Sequence, residues 1–322
     1  HVLHRRHRGD VLLLSARIAI LCGGFGAARI LSGRPSHIDS DLTCIVNTAD
    51  DLEYNGLHVS PDVDTVAYAL AGRYDFDRGW GLAGDTFSNA EALRRFDEGW
   101  FGIGDEDLAT HLHRTELLRG GATLTEATAD LARSLGIAAT LLPMSDDPVR
   151  TVVVTDEGRL PFQEWLVRHR AAPAVLAVEH EGIEESRPAP GVIDALVHAE
   201  LVVIAPSNPV SSIGPILEVP GVREALVARV LPTVAITPVV TGREPVTEPE
   251  RFRARVREAF MMSRGLEHTA TSVAGLYSGF ATAFILDLHD GYQHTAVEAR
   301  GLEVVLADTL TPAALWAQLP VS

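Results

Sequence analysis

Short apolar runs alternate with helical stretches along most of the chain: Arg17 to Cys22, Leu42 to Asn47, Thr151 to Val154, Leu201 to Ala205, Thr233 to Val240 and Ala283 to Leu286. Such alternation indicates parallel strands joined by crossover helices. The expected fold class is therefore α/β: a Rossmann-like, mostly parallel sheet with helices on both faces and a helical insert or smaller lobe. In sheets of this kind ligands gather at the carboxyl ends of the strands. From Asp64 to Leu142 the character turns helical, and Asp107 to Leu118 and Leu124 to Leu135 are the clearest amphipathic stretches. This insert, at about 65–142, reads as a lid or side lobe within a single α/β domain spanning 17–322. Residues 1–16 read as a basic N-terminal extension, because Val11-Leu12-Leu13-Leu14 is too short for a signal-peptide core.

The first run, Ile18-Ala19-Ile20-Leu21-Cys22, leads into Gly23-Gly24-Phe25-Gly26 and then a helix. Strand, glycine turn and helix together form an anion cradle: bare amides approach phosphate closely, and the helix N-terminus supplies partial positive charge. A plain glycine-rich strand exit with no ligand is the alternative, since the turn is not a full dinucleotide or Walker pattern.

Two acidic clusters follow, Asn47-Thr48-Ala49-Asp50-Asp51 and Ser60-Pro61-Asp62-Val63-Asp64-Thr65. Carboxylates gathered this closely repel one another unless a proton or cation sits among them, so a divalent metal is the natural guest. The competing readings are structural. Asp50 and Asp51 suit a helix cap or turn, and Asp62 and Asp64 suit the first turn of a helix capped by Ser60. A phosphate cradle followed by paired acidic clusters suggests a nucleotide diphosphate held through a metal ion.

A third constellation, Ala205-Pro206-Ser207-Asn208-Pro209-Val210-Ser211-Ser212-Ile213-Gly214-Pro215, offers uncharged donors suited to phosphate oxygens or a base edge. It also reads as a proline-fixed loop. The charged stretch from Arg243 to Glu258 reads as a solvated helix. The histidines show no metal-ligand spacing, and His111 and His113 do not share a helical face. A formal net charge of -16 argues against a nucleic-acid coat, so small molecules are the expected partners. Cys22 and Cys44 lie in apolar runs and read as buried thiols in a reducing cytoplasm. Leu201 to Leu217 and Thr269 to Leu286 are uncharged, but prolines in one and Thr, Ser and Gly in the other argue against membrane spans.

Taken as an ordered series, these motifs resemble the 2-phospho-L-lactate transferase family. Arg78-Gly79-Trp80-Gly81, Leu108-Ala109-Thr110-His111, Leu142-Pro143-Met144-Ser145-Asp146-Asp147 and Phe162-Gln163-Glu164-Trp165 extend the resemblance across roughly Arg17 to Leu288. The resemblance implies a transferase of coenzyme F420 biosynthesis. Such an enzyme moves a phospholactyl or phosphoenolpyruvyl group from a guanosine diphosphate-linked donor to the ribityl hydroxyl of the deazaflavin Fo, with release of GMP. It implies Mg2+ on Asp50 and Asp62, with Asp51 and Asp64 beside the metal or the acceptor and Asp64 a candidate proton acceptor. Gly23, Gly24, Phe25, Gly26, Asn47, Ser207, Asn208, Pro209, Ser211, Ser212 and Gly214 are implied to bind the nucleotide donor. Asp85-Thr86-Phe87 and the insert around Trp80 are implied to receive the flat deazaflavin. The family also suggests a homodimer. The chain departs from the family pattern where Glu106 replaces an Arg found in many members and where Phe25 stands in place of the Thr or Val of many relatives, and Gly242 to Ser263 fits the family poorly. The alternatives are a non-catalytic, nucleotide-sugar-binding regulator of the same superfamily and an NAD-dependent oxidoreductase in which Asp50 serves the ribose.

Overall fold

A computed structural model describes residues 16–96 and 99–320, so nearly all of the expected N-terminal extension lies outside the described residues. Strands β1 (Ile18–Cys22), β2 (Leu42–Val46), β3 (Leu52–Tyr54), β4 (Leu57–Val59), β5 (Thr140–Pro143) and β6 (Arg150–Thr155) come first in chain order. They are followed by β7 (Gly158–Pro161), β8 (Val175–Glu181), β9 (Leu201–Ile204), β10 (Thr233–Ile236), β11 (Ala283–Asp287) and β12 (Glu303–Ala307). Seven of these form one sheet in the order β12-β11-β10-β9-β1-β2-β5, and its pairings are parallel throughout. The chain thus winds outward from β1 through β2 to β5, then restarts at β9 on the other side of β1. Ile18 is in register with Leu42 on one side and Leu201 on the other. The winding reverses between β1 and β9, and in sheets of this kind the carboxyl end of the strands at such a reversal is where ligands gather.

Both sheet faces are covered, which is why the central strands read as unbroken apolar runs. Ala19, Leu21, Ile45, Val202 and Ile204 enter one buried cluster. Ile18, Ile20, Cys22, Cys44 and Val203 enter another. Each fully buried aliphatic side chain here contributes on the order of 1.5–3 kcal/mol. Cys22 and Cys44 are buried free thiols on the paired strands. No helix among the described residues is long and apolar enough to cross a membrane.

The expected strand at Thr151 to Val154 exists, but it belongs elsewhere. It lies in β6, which pairs antiparallel with β7 and β8 in a separate three-stranded sheet. The physical reason is the short connection Asp156-Glu157, with Gly158 at φ 127; so brief a link allows only an antiparallel hairpin. Edge strands β5 and β12 carry exposed residues and lack the continuous apolar signature. Between β4 and β5 the chain is mostly helical, with helices Pro61–Leu70, Ser88–Leu93, Asp105–Arg119 and Leu124–Ser134. The last begins at Thr123, whose side chain accepts from the Glu126 amide while the Glu126 carboxylate accepts from the Thr123 amide.

Candidate functional site

A cavity of about 740 Å³ occupies the crevice beyond β1, β9 and β10. Its floor is the turn that follows β1, where the helix Gly24–Ser32 begins. Each glycine in the turn has a separate reason. Gly24 holds φ 61, in the left-handed region. A Cβ on Gly23 would fall 2.1 Å from Asp62 Oδ2, and one on Gly26 would fall 2.0 Å from the Pro206 carbonyl oxygen. The Gly23 amide also donates to Ser207 Oγ at 3.2 Å. The turn is thereby pressed against both the second acidic cluster and the loop after β9.

The first acidic cluster meets the second through Asn47. Its Nδ2 lies 3.0 Å from Asp50 Oδ1, 2.9 Å from Asp62 Oδ2 and 3.2 Å from the Ser211 carbonyl. An amide carries two hydrogens, so they are shared among these acceptors. Gln163 Nε2 donates to Asp50 Oδ2 at 3.2 Å. Burial, then the charges of Asp62 and Asp51, push the Asp50 carboxyl well above the usual carboxylate range. Burial likewise raises Asp62 to about 7; Asn47, Ser212 and the Gly24 amide oppose the rise by hydrogen bonding, and the Asp51 charge adds to it. Asp51 sits behind the pair, accepting from Ser60 Oγ at 2.8 Å and facing His58 Nε2 at 3.0 Å, while its other oxygen is buried without a partner. Asp50 and Asp62 are therefore crowded carboxylates served mainly by uncharged donors. That donor set suits a hard divalent cation, and Mg2+ fits it.

A second acidic group lines the same cavity. Asp64 is gripped through both oxygens by the guanidinium of Arg114, one contact being Nη1 to Oδ2 at 3.1 Å. His111 Nδ1 lies 3.6 Å from Asp64, and His111 Nε2 lies 3.4 Å from Asp107. Tyr68 OH donates to Asp107 at 2.7 Å. Asp64, Asp107 and His111 are close enough together to hold a metal. Unlike Asp50 and Asp62, however, this group carries its own compensation: Arg114 balances Asp64, and burial's upward push on Asp107 is outweighed by hydrogen bonds from His111 and Tyr68. Asp107 and His111 stand one turn apart on the helix Asp105–Arg119, so the expectation that no histidine has metal-ligand spacing does not hold at His111.

Of the other sequence-derived candidates, Phe25, Ser207, Asn208, Ser211 and Ser212 line the cavity. Asn208 Oδ1 accepts from the Val210 and Ser211 amides at 2.9 and 3.2 Å, which fixes the loop. Pro209 and Gly214 lie off the wall and serve loop packing, a Gly214 Cβ falling 3.1 Å from the Pro209 carbonyl. Asp85 and Thr86 are not on the wall either. Asp85 accepts from the Glu106 and Asp107 amides at the start of the helix Asp105–Arg119, and Thr86 Oγ1 donates to Asp105 at 2.6 Å. Trp80 does line the cavity, with the Arg78 guanidinium 4.9 Å from its ring centroid. Glu106 is exposed, points to Arg73 and lies off the cavity.

The solvated-helix expectation for Arg243 to Glu258 needs correction. The helix Glu248–Ser263 buries Val256 and Phe260 and presents Arg253 and Arg257 to the cavity, with Arg29 and Arg243 nearby on the wall. The available signal was Arg253 and Arg257 one turn apart, beside the apolar Phe252, Val256 and Phe260.

Against known proteins, residues 18–293 match the family described as 2-phospho-L-lactate transferase CofD. A phosphoenolpyruvate transferase of Streptomyces griseus is 41% identical over 294 residues, covering 89% of this chain and 90% of that protein. A 2-phospho-L-lactate transferase of Methanosarcina mazei is 38% identical, covering 90% of this chain and 93% of that protein. A crystal structure of a Bacillus halodurans protein superposes with TM-score 0.60 at 17% identity over 91% of this chain and 92% of that one, a likeness of fold alone.

Proposed function

The chain belongs to the 2-phospho-L-lactate transferase family, and from that membership we propose that it transfers a phospholactyl or phosphoenolpyruvyl group from a guanylylated donor to the ribityl hydroxyl of Fo, releasing GMP, in coenzyme F420 biosynthesis. The observation that carries this reading is the convergence of Gly23–Gly26, Asp50, Asp62 and Ser207 on one cavity wall. A nucleotide-sugar-binding regulator is the less favoured alternative, because the curated relatives cited above are named as transferases along nearly their full length.

In this reading the glycine-turn amides and the N-terminus of the helix Gly24–Ser32 orient the diphosphate, and the Ser207-Asn208 loop holds the guanosine side. Asp50 and Asp62 would hold a divalent cation, which supplies charge neutralisation for the diphosphate and for the departing GMP. Trp80, with Arg78 above it, offers a face on which the flat deazaflavin stacks. The acceptor oxygen forms its bond to the phosphorus remote from guanosine as that phosphorus loses its bond to the GMP oxygen. The proton that the hydroxyl gives up in this step passes to Asp64, which Arg114 holds in place. Positioning and charge stabilisation supply most of the rate, and no covalent enzyme intermediate is required. We also propose a cytoplasmic homodimer, as the family resemblance suggests; sedimentation of the purified protein tests the oligomer.

The decisive experiment incubates the protein with Fo, Mg2+ and each guanylylated donor in turn, followed by mass analysis. The expected result is the mass of Fo plus one phospho-acid residue together with GMP. Absence of product with every donor, alongside tight binding of a nucleotide sugar, would replace the transferase reading by the regulator.

A further inference from the structure

Three arginines on the cavity wall, Arg29, Arg253 and Arg257, are held without a salt bridge among the described residues, although Glu248 and Glu250 also line the cavity. Arg253 lies with its guanidinium carbon 3.8 Å from the centroid of the Phe25 ring. Arg29 donates to the Thr309 carbonyl at 3.3 Å, and Arg257 Nε to His268 Nε2 at 3.2 Å. Among the described residues, none of these arginines has a carboxylate within salt-bridge distance. The contrast lies on the same helix: solvent-facing Arg251 and Arg255 both pair with Glu248, at 3.0 and 3.1 Å. The acids whose charges reach these arginines are engaged elsewhere: the Glu250 carboxylate accepts from the Val246 and Thr247 amides, with Arg243 at 3.7 Å, and Asp308 accepts from the Leu310 amide and the Thr311 hydroxyl. Burial, then mutual repulsion with Arg29 and Arg253, pushes Arg257 down to about 10. His268, driven by burial and Arg257 down to about 4, stays uncharged and adds no compensation. Guanidinium groups near enough to repel one another and partly desolvated, with no carboxylate in salt-bridge contact, are an oxyanion receptor awaiting its ligand.

We infer that Arg29, Arg253 and Arg257 form an oxyanion subsite that takes the carboxylate of the three-carbon acid carried by the donor. This assignment of the ligand rests on the transferase reading above. Phe25 links the subsite to the phosphate cradle, because the ring that Arg253 covers belongs to the glycine turn. With the diphosphate on that turn and the guanosine on the Ser207 loop, the anion left over on the donor is its carboxylate. Phospholactyl and phosphoenolpyruvyl groups share that carboxylate and differ in the bond between their carbons. A guanidinium fork reads the planar carboxylate and is indifferent to that bond, so the subsite accepts either acid.

Calorimetric titration of the full chain with phosphoenolpyruvate, and separately with GDP, tests this in the wild type, Arg253→Gln and Arg253→Lys. The glutamine variant should bind phosphoenolpyruvate about tenfold or more weakly, with GDP affinity changed less than about twofold. The lysine variant should fall between, keeping the charge but losing the fork. An unchanged thermal midpoint in both variants shows that the fold survives. Phosphoenolpyruvate affinity that is equal in wild type and Arg253→Gln, or absent in both, overturns the subsite. Equal loss for GDP and phosphoenolpyruvate overturns it too, placing a nucleotide phosphate on the cluster. Transfer to Fo by the wild type is measured alongside. Normal transfer with arginine-independent phosphoenolpyruvate binding refutes the subsite alone, whereas arginine-dependent binding without transfer refutes the reaction and leaves the subsite standing.

Discussion

Replacing Asp62 by Asn should stabilise the cation-free protein at alkaline pH while destroying its response to Mg2+. Asp62 is buried, and burial raises its carboxyl to about 7 from an ordinary 3.8. Each unit of displacement corresponds to about 1.4 kcal/mol, so the ionised carboxylate opposes folding by roughly 4 kcal/mol once pH exceeds both values. The sign follows from the direction of the shift. A raised folded value means the native state holds the proton more tightly, so its contribution to stability is complete below about pH 4 and is lost as pH climbs through 7. Asn cannot ionise, but it surrenders one of the acceptor oxygens that Asn47, Ser212 and the Gly24 amide use, a loss of about 1–2 kcal/mol. The net expectation is a variant about 2–3 kcal/mol more stable than wild type at pH 8 in chelator, and slightly less stable at pH 4. Urea midpoints at both pH values, with and without added Mg2+, provide the assay. Mg2+ should raise the wild-type midpoint at pH 8 and leave the variant's unmoved, because the cation loses one of its paired ligands. If the variant is no more stable than wild type in chelator at pH 8, and Mg2+ fails to raise the wild type, Asp50 and Asp62 are not an uncompensated pair and the cation belongs elsewhere.

Asn208→Ala should weaken GMP and GDP binding by about 1–3 kcal/mol while sparing Fo, as titration of each ligand will show; equal losses would mean that the loop had simply collapsed with its Val210 and Ser211 amides unbonded. Gly26→Ala should cost about 1–3 kcal/mol in urea-midpoint stability, because its Cβ would enter the Pro206 carbonyl at 2.0 Å and the β1 and β9 loops would have to part. A variant of wild-type stability would show that the two loops are not clamped together. Glu106→Arg should leave donor kinetics unchanged and lower stability by a few tenths of a kcal/mol, since it loses the exposed Arg73 pair and places positive charge at a helix N-terminus. A salt-dependent fall in donor KM would instead put position 106 in the site.

What was legible in the sequence divides along a physical line. β1, β2, β9, β10 and β11 were readable because burial on both faces makes them continuous apolar runs, a property of local sequence. β5 and β12 were not, because an edge strand keeps one side for solvent and its apolar signal thins. β6 reads as a strand but not as a member of its three-stranded sheet, since an apolar run specifies burial and leaves its partner open. The same division holds at the site. The glycine turn and the acidic clusters are contiguous motifs, whereas Arg253 and Arg257 belong to a helix whose other arginines face water. Charge alone does not say which of them turns inward; the packing of Val256 and Phe260 decides it.

Once the turned-in charges are known, their arrangement constrains the ligand more than either set does alone. Buried charge without compensation costs stability, and a fold ordinarily removes that cost by pairing opposite charges. This fold lines one cavity with Asp50 and Asp62 and with three arginines without joining the two sets: among the described residues Asp50 and Asp62 have no salt bridge to Arg29, Arg253 or Arg257, and the charges perturbing Asp62 do not include those arginines. Direct pairing would have neutralised both sets and left nothing to recognise. Leaving them unjoined in a cavity of about 740 Å³ leaves each to be neutralised from outside, the carboxylates by a cation and the guanidiniums by an anion. In the proposed reaction one ligand satisfies both, because a guanylylated phospho-acid carries a metal-binding diphosphate and a further acid, whereas GDP alone would leave the arginines unpaired.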